Sequence, residues 1–177
     1  GAESLVREER ELAFAASCVD AHHVDFVVVD GTLEKTYRNE ERYLQRLPQN
    51  SCSIAKSSTL FTTSGNSSAV LLNKIGPAGC WEYAVTENTS FVKLHPHAKH
   101  VFRVEFRVEA NKHVLPFLLG NSTDALFLGY PYGLLLADKL ARVSNREKKS
   151  LIMAMLLRQE NRVILDYLTT ANAHDIL

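Results

Sequence analysis

Four side chains have types and settings that suit chemistry: Asp30, Glu11, His174 and Lys56. Asp30 ends the run Phe26-Val27-Val28-Val29-Asp30, which contains four apolar residues, three of them β-branched, and so predicts a strand buried on both faces. An acid where such a strand runs out is a common position for a catalytic carboxylate in open α/β sheets. Gly31 lets the chain turn sharply behind it. Taken alone, Asp30-Gly31 reads equally well as a plain turn.

Glu11 lies beside the apolar side of a helix expected over residues 3–19, with Glu8 three positions earlier as the fallback. Either glutamate also reads as a surface charge. His174-Asp175 is set among Ala173, Ile176 and Leu177, which suggests a tail docked on the body rather than a solvated end. Carboxylates gathered at a strand end can hold Mg²⁺ or Mn²⁺, and Mn²⁺ also accepts imidazole. Such an ion activates water against a phosphodiester and neutralises the leaving oxygen. Lys56, ending the short strand Ser51 to Lys56, could meet the scissile phosphate or could be a snorkelling surface lysine. Lys93, His95, Lys99, Arg103 and Arg107 could contact a nucleic-acid backbone or form an ordinary wet sheet face.

The elements that must position these residues follow a mixed order. After the first helix and strand come a helix near 38–47 stopped by Pro48, the strand at 51–56 and a helix over 66–75. Residues 81–86, 90–95 and 100–108, joined by short polar turns, predict an antiparallel meander. Phe102, Val104, Phe106 and Val108 alternate with Arg103, Glu105 and Arg107, so one face is expected in the core and the other in solvent. Helices are expected over 114–119, 131–143, 146–158 and 163–168, with Ser144 as a cap and Glu147 in the first turn. The fold class is α/β, a mixed sheet with helices packed on it.

Composition sets bounds. The 177 residues read as one domain, and the 20 basic and 20 acidic residues cancel, so any polyanion site must be local. Cys18, Cys52 and Cys80 lack CxxC spacing, which fits reduced thiols in a cytoplasmic protein. No run approaches the ~18 apolar residues of a membrane span, and no signal peptide is visible. The opening Gly1-Ala2 reads as a tag scar or a truncation. No nucleophile elbow, P-loop or GxGxxG is present, which argues against acyl transfer, Walker-type nucleotide hydrolysis and dinucleotide chemistry.

Several stretches together resemble the NurA family of DNA end-processing nucleases. They are Val29-Asp30-Gly31-Thr32-Leu33, Ile54-Ala55-Lys56-Ser57-Ser58, and Phe91-Val92-Lys93-Leu94-His95 running on to Val101-Phe102-Arg103-Val104-Glu105. To these are added Gly129-Tyr130-Pro131-Tyr132, the run from Ala137 to Ser144, and Asn172-Ala173-His174-Asp175-Ile176-Leu177. The resemblance implies an RNase H-like core spanning residues 1–177. It also implies a Mn²⁺- (or Mg²⁺-) dependent nuclease acting on DNA ends and single strands in DNA repair, a homodimer, and docking on a hexameric HerA-type ATPase. It assigns the metal to Asp30, Glu11 and His174. Such nucleases begin with an earlier strand ending in its own Asp-Gly, and nothing upstream of residue 5 supplies one. A chain complete as it stands is therefore expected to be weakly active or inactive. The rival reading is a non-catalytic interaction or regulatory subunit on the same fold. An unrelated α/β hydrolase would need a nucleophile that is not in evidence.

Overall fold

The computed structural model describes residues 2–33, 43–107 and 113–157, in two units divided between Leu136 and Ala137. In the first unit, α1 (Ala2–Ala21) leads into β1 (Val27–Asp30), followed by β2 (Ser51–Ala55) and α2 (Ser68–Ile75). The chain continues with β3 (Trp81–Ala84), β4 (Thr89–Lys93), β5 (Phe102–Phe106) and α3 (Val114–Gly120). Then α4 (Tyr132–Ala141) runs across the division, and α5 (Asn145–Leu156) belongs to the second unit.

The five strands make one mixed sheet in the order β1-β2-β5-β4-β3. β1 and β2 are parallel, with Asp30 opposite Ile54; the other pairings are antiparallel, and β3, β4 and β5 form the expected meander. β2 is buried at every position because it has a strand on each side and packed side chains on both faces. Its residues are correspondingly small, Ser-Cys-Ser-Ile-Ala.

Strand alternation divides the core in two. On one face, Leu12 and Ala16 of α1 pack with Val29, Leu33 and Leu47. On the other, Cys52, Ile54, Phe102, Val104 and Phe106 meet Val114 and Leu118 of α3 and Tyr130, with Phe26 and Val28 against them. Phe26 stacks on Phe117 of α3, ring centroids 4.9 Å apart. β1 therefore touches both layers, although Val27 and Val28 are only half-buried because among the described residues β1 is an edge strand. Burial pushes the Cys52 thiol up to about 12. All three cysteines are free.

One expectation is corrected. The face of β4 and β5 that carries Phe91, Arg103 and Glu105 is not wet: Phe91 and Glu105 are buried, and the Arg103 side chain is only 13% exposed. Alternation gives the two faces of a strand but not what covers them, and here the turn at Thr32-Leu33 lies over Glu105.

In the second unit, α5 begins as its sequence predicts. The Ser144 hydroxyl accepts from the Glu147 amide (3.2 Å), while the Glu147 carboxylate accepts from the Ser144 amide (2.8 Å). Those bonds hold the Glu147 carboxyl below its ordinary range, the Ser144 side chain contributing most. The expected helix at 163–168 lies outside the described residues, as do Val108 and the first half, 38–42, of the segment expected to be helical at 38–47.

Candidate active site at the end of the parallel strands

The parallel strands β1 and β2 end side by side, and each delivers one charged residue there. Gly31 takes φ +112°, a conformation that favours glycine, and its amide donates to the Ile54 carbonyl at 2.8 Å. The turn leaves Asp30 on the Val28 side of the pleat and exposed. Lys56, two residues beyond Ile54, reaches back so that Nζ is 3.0 Å from Asp30 Oδ2. The same ammonium stands 4.7 Å above the centroid of the Tyr130 ring. Tyr130 is itself fixed by packing against Phe102, 5.3 Å between centroids. The preceding Gly129, φ +84°, runs against Ala98 so closely that a Cβ there would come within 2.4 Å of the Ala98 Cβ.

Behind Asp30, on the opposite face, lies a second and buried ion pair. Arg103 Nη2 is 2.7 Å from Glu105 Oε1. Glu105 Oε2 accepts from the Leu33 amide (2.7 Å) and the Thr32 hydroxyl (2.6 Å), with Ser53 Oγ at 3.5 Å. Glu105 thus ties the turn that follows Asp30 to the centre of the sheet. Sequence reasoning missed this role, and it missed Tyr130. The available signal was an acid set between Val104 and Phe106 with Arg103 two positions before it on the same side of the strand.

The other expected site residues are placed as follows. Glu11 is on α1, one residue before Leu12, which packs on the Val29 side of β1, and its Oε1 lies 3.6 Å from Arg7 Nε. His174 lies outside the described residues. Lys93 and Arg107 are half-buried, and Arg107 Nη2 donates to the Gln45 carbonyl at 3.3 Å. Arg103 is committed to Glu105, so the three basic residues do not form one open strip.

An ion such as Mn²⁺ or Mg²⁺ takes hard oxygen donors, and the exposed Asp30 carboxylate is one. Among the described residues, no group of three or more His, Cys, Asp or Glu side chains is placed to hold a metal ion. Asp30 alone fits the first ligand of such a site and does not complete it.

This arrangement belongs to the mixed α/β class, a five-stranded sheet with a charged pair at the carboxyl ends of its parallel strands. Among solved structures the chain is similar to the crystal structure of the NurA nuclease from Sulfolobus solfataricus, with a TM-score of 0.60 at 15% identity over 86% of this chain. It spans 66% of that protein's length. The sequence matches no family model and no curated protein. No helix among the described residues is long and apolar enough to cross a membrane.

Proposed function

We propose that the chain is a metal-dependent nuclease of the NurA type, hydrolysing phosphodiester bonds at DNA ends or in single-stranded DNA during repair. The observation that carries the reading is the exposed Asp30–Lys56 pair at the ends of two parallel strands, on a fold similar to a nuclease's. Asp30 would hold Mn²⁺ or Mg²⁺, with His174 the candidate second ligand. Bound there, the ion would supply an activated water and charge neutralisation. The chain's own contribution is positional. Lys56 exchanges Asp30 for a phosphate oxygen at little cost, because both partners are solvated and an exposed pair is worth only about 0–1 kcal/mol. Tyr130 keeps the ammonium over the site during that exchange. The same reading carries a homodimer and a HerA-type hexameric ATPase as partner.

The test is cleavage of end-labelled single-stranded DNA by the full chain with Mn²⁺. Slow cleavage is expected, abolished in Asp30→Ala. Absence of cleavage with either Mn²⁺ or Mg²⁺, or cleavage that survives Asp30→Ala, overturns the assignment. A second reading, a non-catalytic interaction or regulatory subunit, is favoured by one observation. Among the described residues no group of three or more His, Cys, Asp or Glu side chains is gathered around Asp30 to hold a metal, and Glu11 is paired with Arg7.

A further inference from the structure

A cleft of about 530 Å³ opens beside the Asp30–Lys56 pair, and the charged site does not account for it. Lys56 forms part of its wall; the rest comes from α2, the approach to β5, the 127–130 turn and the start of α4. The volume lies within the ~300–1,000 Å³ of sites that enclose a small organic group, far more than one phosphate needs. Its lining is mainly apolar, with a few polar groups. Phe127 and Val70, from separate elements, are large and exposed, 53% and 68%. Asn73 is fixed by a bond from its Nδ2 to the Lys99 carbonyl (2.8 Å), and its Oδ1 takes no hydrogen bond among the described residues. His100 adds a ring that can donate or accept.

We propose that this cleft is a nucleobase subsite, which takes one base of a single strand against Phe127 while the adjoining phosphate meets Lys56. The choice of a nucleic-acid strand as ligand rests on the nuclease reading; the shape and chemistry of the cleft do not. An aromatic wall accepts any base, since every base has a π face. The amide of Asn73 and the imidazole of His100 can satisfy base edges without demanding one sequence. Lys56 already serves an anion and a ring together, the pairing of contacts that a nucleotide presents. The chain's 20 basic and 20 acidic residues cancel, so local contacts of this kind must hold the strand.

The experiment measures binding of three probes to the full chain in EDTA: a dT decamer, an abasic decamer with the same backbone charge, and dTMP. The dT decamer is expected to bind about tenfold more tightly than the abasic strand, the usual effect of one stacked base. Phe127→Ala should remove that preference without changing abasic binding, and Phe127→Trp should restore it. Equal binding of the two decamers, or a preference that survives Phe127→Ala, overturns the subsite. If dTMP binds as tightly as the dT decamer, the cleft belongs to a free nucleotide and the strand proposal fails. Base preference in a chain that cleaves nothing would support the subsite while removing the nuclease reading. Cleavage without base preference would do the reverse.

Discussion

Two ion pairs of similar geometry lie on opposite faces of the same sheet, and they do different work. Asp30–Lys56 is 3.0 Å long with side chains 49% and 57% exposed; Arg103–Glu105 is 2.7 Å long with side chains 13% and 7% exposed. Distance hardly separates them; surroundings do. Water screens the first pair and can replace either partner, so the pair is weak and exchangeable. The second has given up its hydration, and Glu105 is surrounded by protein donors. The exposed pair is suited to meeting a ligand, the buried one to holding the frame that presents it.

The sharpest way to break the contrast is Glu105→Ala. It strands Arg103 and removes the acceptor of the Leu33 amide, so unfolding by urea should show a loss of about 3–5 kcal/mol. A loss below about 1 kcal/mol would show that the buried pair carries no structural load. Replacing both partners, Arg103→Met with Glu105→Leu, removes the stranded charge and should recover part of that loss. A deficit of about 1–3 kcal/mol should remain, because the Leu33 amide is left without an acceptor. Full recovery would mean that the turn after Asp30 is held by something other than Glu105.

On the exposed side, Lys56→Met should change stability by less than about 1 kcal/mol while removing any phosphate contact. A larger stability loss would make Lys56 a structural residue and remove the contrast. The smallest effect concerns thiols. With its pKa pushed up to about 12 by burial, Cys52 stays neutral and enclosed, whereas Cys80 is exposed. A thiol reagent at pH 8 should label Cys80 in the native chain and leave Cys52 untouched until urea is added. The raised value also fixes a sign. Stability due to the neutral Cys52 thiol is complete below its unfolded pKa near 9.0 and declines as pH rises towards 12.

Much of the frame was legible because it is local. The strand at Phe102 to Phe106 and the Ser144–Glu147 cap each depend on residues a few positions apart, and the structure contains both. Asp30 and Lys56 were legible as strand ends, though their meeting required the parallel register of β1 and β2. Glu105 was misread as wet because its cover, Thr32-Leu33, lies more than seventy positions away in sequence. Helical periodicity marked the side of α1 that packs, and Leu12 and Ala16 do pack, but periodicity does not say on which face of the sheet the helix lies.

The placement of β2 between β1 and β5 has a consequence for how the protein is made. Cys52 pairs with Phe106, so one edge of β2 has no partner until the ribosome has added more than fifty further residues. At about 5–20 residues per second, that delay is roughly 3–10 s. Throughout it, the nascent chain presents a short strand with an open hydrogen-bonding edge, the kind of surface that pairs with whatever is nearby. Expression yield should therefore respond to slower growth temperature and to chaperone supply more than the finished protein's stability would suggest. Codon changes between residues 56 and 101 should shift the soluble fraction without altering a single amino acid.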